Sequence, residues 1–142
     1  MARSDLSDAE YRKLFDFRAR LIRFLRASDG RIREAGLTPS QYLLLLGVRA
    51  APSKLGPTIG EIAAYLILKH HSVVELVDRA AAGGLVKRTP DPDDGRVVRL
   101  SLTAVGRNRL DRVASVNFRE LGRLRLLGEG LDRANEEAFG LG

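Results

Sequence analysis

Lys69-His70-His71-Ser72 sets a cation, two imidazoles and a hydroxyl in four consecutive positions, where a helix is expected to begin. Such groups can donate to phosphate oxygens or hydrogen-bond to base edges. They are poorly arranged for a metal, because adjacent helical residues point about 100° apart. These are the only two histidines, and there is no cysteine. Thiolate ligands, cysteine nucleophiles, disulfides and thiol switches are thereby excluded. No grouping of nucleophile, general base and oxyanion donors can be assembled, so neither a catalytic centre, a cofactor nor a metal is expected. Arg79 lies on the same helical stretch and can reach a phosphate or an acid. Arg96 follows the run Asp91-Pro92-Asp93-Asp94-Gly95. Its guanidinium suits the negative potential of a minor groove. The three aspartates would repel phosphate, and shape a turn through side-chain to backbone hydrogen bonds instead.

The elements that must position these groups can be read from periodicity. Between Asp8 and Ala27 apolar residues recur at Tyr11, Leu14, Phe15, Leu21, Ile22 and Leu25, the spacing of an amphipathic helix. Ser28-Asp29-Gly30 is expected to interrupt it, with a short helical piece then running to Gly36, a suitable left-handed cap. Thr38-Pro39-Ser40-Gln41 and Thr58-Ile59-Gly60-Glu61 are capping boxes, each opening a helix. The first should run to about Arg49 and be largely buried, the second to about Leu66. A further helix is expected from about Lys69 to Ala82, stopped by Gly83-Gly84. Leu85-Val86-Lys87-Arg88 and Arg96-Val97-Val98-Arg99-Leu100-Ser101-Leu102 alternate with period two around a polar tip, which predicts a β-hairpin. Thr103 caps a long helix to about Leu127, and Gly128-Glu129-Gly130 should break it before a last helix with Leu131, Ala134 and Ala138 on one face.

At 142 residues, with 44% hydrophobic and 30% charged, the chain suits one globular domain with a real core. No apolar run approaches the roughly 18 residues of a membrane span, and Met1 to Glu10 lacks a signal pattern, so a cytoplasmic protein is expected. The net charge of +6 permits a polyanionic partner. It does not locate one: residues 1–52 carry ten basic and six acidic side chains, whereas residues 53–100 carry seven and six.

A short capped helix, a tight turn, a second helix and an immediate hairpin describe a winged helix-turn-helix, although two short helices and a hairpin also occur in other settings. Ile62, Ala63 and Leu66 would brace Val73 and Val77, leaving the start of the second helix free to enter a major groove about 12 Å wide. The residues sharpen this reading. Leu37-Thr38-Pro39-Ser40-Gln41-Tyr42, Thr58-Ile59-Gly60-Glu61-Ile62-Ala63, Val73-Val74-Glu75-Leu76-Val77-Asp78-Arg79, Gly84-Leu85-Val86-Lys87-Arg88 and Asp91-Pro92-Asp93-Asp94-Gly95-Arg96 resemble, in order and spacing, the segments of the MarR family over about residues 8–127. Two positions depart from it: Ile67 stands in the turn where relatives often carry Gly or a polar residue, and Ala80 where Leu is usual.

The resemblance implies a mainly α fold with a small β-hairpin wing: one domain over residues 1–142, with dimerisation helices at about 8–35 and 103–139 and the winged helix-turn-helix at about 38–102. It implies a homodimer that regulates transcription, as a repressor released or modulated by a small molecule, on double-stranded DNA with a pseudo-palindromic operator. Lys69, His70, His71, Ser72, Arg79 and Arg96 are the expected DNA contacts, and Asp78 with Arg96 the ion pair that fixes the wing. Leu14, Leu21, Leu110, Asn117, Leu121 and Leu124 are the expected dimerisation residues, the last four on a face with nearly heptad spacing. A constitutive architectural DNA-binder without an effector is the alternative. The further alternatives are an enzyme, disfavoured by the absence of a catalytic constellation, and a winged-helix protein-interaction module, which preference for specific over random duplex would separate from the DNA-binding readings.

Overall fold

In the computed structural model the described residues are 5–139, with the backbone alone described for 125–139. Seven elements follow one another: α1 (Asp8–Glu34), α2 (Pro39–Ala50), α3 (Ile59–Leu66), α4 (His70–Ala82), β1 (Val86–Pro90), β2 (Val98–Leu102) and α5 (Ala104–Phe139). Two of the expected interruptions do not occur. α1 continues through Ser28-Asp29-Gly30, and α5 continues through Gly128-Glu129-Gly130. A helical glycine costs only about 1 kcal/mol relative to alanine, and without a proline every backbone N–H remains available to the ladder. The face expected from Leu131, Ala134 and Ala138 lies outside the residues whose side chains are described.

The chain divides into two compact units. Residues Arg31–Ala114 form one of them, and its core joins Ile32, Leu37, Leu44, Leu45, Ile62, Val73, Val77, Leu85, Leu100, Leu110 and Val113. α1 ends on Gly36 at φ 75°, where the Gly36 N–H bonds to Arg33 O and the Leu37 N–H to Ile32 O. This is the expected left-handed cap, and the Arg109 guanidinium adds a hydrogen bond to Gly36 O at 3.2 Å. Both capping boxes form as the sequence predicts, on Thr38 with Gln41 and on Thr58 with Glu61. The hairpin pairs Val86 with Leu102 through to Pro90 with Val98, and Thr58 adds a bridge to Arg99. Gly56 makes that bridge possible: its φ is 85°, and a Cβ there would lie 1.9 Å from Leu100 O. Thr103 closes the unit. Its hydroxyl donates to Gly84 O at 2.6 Å and Leu85 O at 3.1 Å, and accepts from the Gly106 N–H at 2.9 Å.

The second unit comprises the described residues up to Gly30 and from Ser115 onward. α1 starts on a further capping box, Ser7 with Glu10, which holds the Glu10 carboxyl below its ordinary value through the Ser7 N–H and hydroxyl. Asn117 donates from Nδ2 to Ser28 Oγ at 2.8 Å, with both side chains buried. Leu14, Phe15, Ile22, Leu25, Phe118 and Leu121 leave large apolar surface exposed.

Candidate nucleic-acid interface

α3 buries Ile62 and Ala63 in the same cluster as Val73, Leu76, Val77 and Ala80 of α4, so the brace expected from the sequence is present. Ala80 is completely buried. Between the two helices the chain turns at Ile67, with φ 54° and ψ 46°. A non-glycine residue in this left-handed region costs roughly 1–2 kcal/mol, and β-branching makes it rarer still. Ile67 is also 91% exposed, so its side chain recovers almost nothing by burial.

α4 then begins on Lys69, whose side chain makes no capping hydrogen bond. Its backbone carbonyl accepts from the Ser72 and Val73 N–H groups. Lys69, His70 and His71 are exposed and Ser72 is half-buried, and there is no acidic residue in the first turn. None of the four side chains has an ion pair or hydrogen bond among the described residues. Arg79 is exposed near the other end of α4, likewise without an acidic partner among the described residues.

The wing is organised differently from the expectation. Asp78 pairs with Arg88 of β1, and Arg96 lies 3.2 Å from Asp94, so the expected Asp78–Arg96 pair is not formed. The reason is local: Arg96 lies two residues from Asp94, and both its backbone N–H and its Nε donate to that carboxylate. The wing is fixed instead by Arg99, which the sequence reading passed over. Its Nε donates to Asp91 Oδ2 at 2.7 Å and its Nη1 to Gly56 O at 3.1 Å, with Glu61 at 3.8 Å. Asp91 is 8% exposed and also accepts from the Asp93 and Asp94 N–H groups. The Arg99 guanidinium first, and then these two amides, hold its carboxyl below the ordinary value. That the aspartates shape the turn is therefore correct. The signal for Arg99 was its place between Val98 and Leu100, a charge in an apolar strand that must find a partner.

The expected dimerisation residues divide. Leu14 and Leu121 expose about half their surface, and Leu21 and Leu124 are partly exposed. Leu110 is 1% exposed in the core of its own unit, and Asn117 is 7% exposed against Ser28. Those two are therefore occupied within the protomer. A nearly heptad spacing could not separate an outward face from an inward one on a helix that buries several sides.

A concavity of about 340 Å³ lies within Arg31–Ala114, where Val48, Leu55, Leu100 and Leu102 stand beside Arg49, Lys54 and Arg107. Among the described residues there is no group of three or more His, Asp or Glu side chains placed to hold a metal. No helix among them is long and apolar enough to cross a membrane.

Comparison with known proteins accords with this geometry. A MarR-family sequence model matches residues 35–97. The HTH-type transcriptional repressor IacR of Pseudomonas putida is 38% identical over 64 residues, which cover 45% of this chain and 38% of that protein. The chain thus spans well under half the length of that relative. A mutant MarR from E. coli, solved in complex with operator DNA, superposes with a TM-score of 0.67 at 20% identity, over 95% of this chain and 99% of that one. CouR from Rhodococcus jostii RHA1, solved bound to p-coumaroyl-CoA, does so at 0.62 with 26% identity, covering 82% and 84%. The helix-turn-helix is thus matched in sequence by a MarR-family model over residues 35–97, and the fold is matched over nearly the whole length by a structure of MarR itself.

Proposed function

We propose that this protein is a homodimeric, sequence-specific repressor acting in the cytoplasm on a pseudo-palindromic operator, with a small ligand modulating its affinity. The observation that carries the reading is the start of α4, where Lys69, His70, His71 and Ser72 stand in a turn without acids and without side-chain partners among the described residues. In this reading their side chains meet base edges in the major groove, the α4 amides favour a phosphate, and Arg79 and Arg96 contact the backbone or the minor groove. Residues 38–102 are the DNA-binding part, and the helices at about 8–35 and 103–139 pair two copies. The exposed Leu14, Phe15, Ile22, Leu25, Phe118 and Leu121 support that pairing, since contiguous apolar surface on a lone monomer is unfavourable. Light scattering at micromolar concentration should give a dimer, and a folded monomer of about the chain mass, 15.6 kDa, refutes the architecture.

Modulation by a ligand draws on CouR, which was solved with an aromatic acyl thioester. The concavity beside β2 offers apolar Val48 and Leu100 with cationic Arg49, Lys54 and Arg107, a chemistry suited to an aromatic anion. Selection of duplexes from a randomised pool tests the DNA reading. A two-fold symmetric consensus with half-sites about 10 base pairs apart is expected. Equal affinity for every duplex refutes it. Release of the selected duplex by an aromatic carboxylate or its thioester tests the modulation, and persistence of the complex at saturating ligand would leave a constitutive binder.

A further inference from the structure

Ile67 combines two features that a folded protein ordinarily avoids. It is a β-branched residue at φ 54°, and it holds an apolar side chain 91% exposed. Asparagine or glycine would take the same backbone conformation at lower cost, and neither would present a hydrocarbon to water. Among the described residues nothing repays the choice, because a side chain so exposed contributes little packing or burial. The return must come from a partner. Ile67 precedes the α4 N-cap, Lys69, by two residues, with half-exposed Leu68 between them and Tyr65 exposed just before. It is therefore continuous in the chain with the polar groups assigned above to base edges.

We infer that Ile67 is a specificity-determining contact, making an apolar contact with the C5-methyl group of thymine in the major groove. This rests on the DNA-binding reading. The chemistry fits: the thymine methyl is the one apolar group on a base edge in that groove, and a branched hydrocarbon is its natural complement. Desolvation of the methyl and the side chain together would return what the exposed isoleucine forgoes in the free protein. The neighbouring Lys69, His70 and His71 present mainly polar groups to the base edges, so a branched hydrocarbon at Ile67 adds an A·T preference beside theirs.

The test uses the full-length chain, the Ile67→Asn and Ile67→Gly variants, and a pool of duplexes with a randomised centre of about three helical turns. The duplex selected by the wild type is then remade with deoxyuridine at each thymine in turn, which deletes only the methyl. For the wild type, one or two thymines in each half-site should prove methyl-dependent, with affinity falling about four-fold for each methyl lost. Both variants should bind the thymine duplex about four-fold more weakly per half-site and show no further loss with deoxyuridine. They should keep the wild-type oligomeric state, and their Tm should stay equal or rise, most clearly for asparagine. Four results overturn the inference. Unchanged affinity with unchanged methyl dependence removes Ile67 from the interface. A lower Tm in both variants shows that it packs inside the protomer. A changed oligomeric state places it between copies of the chain. Failure of the wild type to enrich any sequence overturns the regulator reading itself, and is distinguishable because the first result requires a selected duplex and the second and third are read on the variant proteins alone.

Discussion

At the wing, Asp91 pairs with Arg99, Asp94 with Arg96 and Asp78 with Arg88, whereas at the start of α4 Lys69, His70, His71 and Ser72 have no side-chain partner among the described residues. The contrast separates two ways of preparing the surfaces proposed to meet DNA. A wing is a two-stranded hairpin, marginal by itself, and needs internal ties to hold a shape. A helix start is already held by its backbone ladder and by the apolar residues beneath it, here Val73, Leu76 and Val77. Its polar side chains can therefore remain unengaged. Changes at the wing should act first on stability and through it on binding, and changes at the start of α4 on binding alone.

The largest departure is expected on the wing side of that contrast. Gly56→Ala combines a φ of 85° with a Cβ 1.9 Å from Leu100 O, in the segment whose Gly56 carbonyl receives Arg99. A loss of about 3 kcal/mol in unfolding free energy is expected, measured by urea denaturation. Stability within experimental error of the wild type would show that the Arg99 anchor is dispensable. His71→Ala combined with Ser72→Ala should leave Tm unchanged and reduce affinity for the selected duplex by at least ten-fold, confined to particular positions, since one good base contact discriminates by about 1–3 kcal/mol. A lowered Tm would erase the distinction between the two regions.

Acidification probes the same tie more gently. Asp91 has a carboxyl held below its ordinary value of 3.8, so its ion pair stabilises the folded wing fully above that value and is lost as pH falls through the lower, folded one. Amide exchange at Asp93 and Asp94 should consequently stay protected through about pH 4 and rise only in stronger acid. Loss of protection near neutrality would exclude Asp91 as the source. The smallest effect belongs to Arg96, which is 93% exposed at its side chain and, among the described residues, tied only to Asp94. Arg96→Ala should change stability by less than about 1 kcal/mol, and reduce the salt slope of DNA binding by about 0.9 for the one phosphate no longer neutralised. An unchanged slope would remove the wing arginine from the DNA contact.

Local chemistry carried most of the fold in legible form. Thr38 with Gln41 and Thr58 with Glu61 declare their helices because a capping box satisfies two backbone donors with two short-range groups, and nothing distant need be known. Gly36 and the alternation around Asp91-Pro92-Asp93-Asp94-Gly95 are local in the same sense. The errors lie where the outcome depends on distant partners. Ser28 is buried with Asn117 donating to its hydroxyl from 89 residues away, and no window around Ser28-Asp29-Gly30 contains that partner. Arg99 was overlooked for the same reason, since the Gly56 carbonyl it binds lies 43 residues away in the sequence. Leu110 was placed on the outside because periodicity gives the stripe of a helix without saying which neighbour covers it. Of the candidate site, the groups whose side chains make no hydrogen bond or ion pair among the described residues were the easiest to find, being marked by type and position alone.

The Thr103 hydroxyl has one proton, shared by the carbonyls of Gly84 and Leu85, while its oxygen receives the Gly106 N–H. The exit of α4, the root of the hairpin and the first turn of α5 thus meet at a single atom. In mechanical terms it is a pinned joint without play. A small rotation of the first turn of α5 about its axis must either break the bond to Gly106 or carry the root of the hairpin along. The same is true in reverse, so a displacement of the hairpin root loads the first turn of α5 through the same atom. A valine in its place would keep the shape and the backbone bond from residue 103 to Leu85 O while removing the three bonds of the hydroxyl.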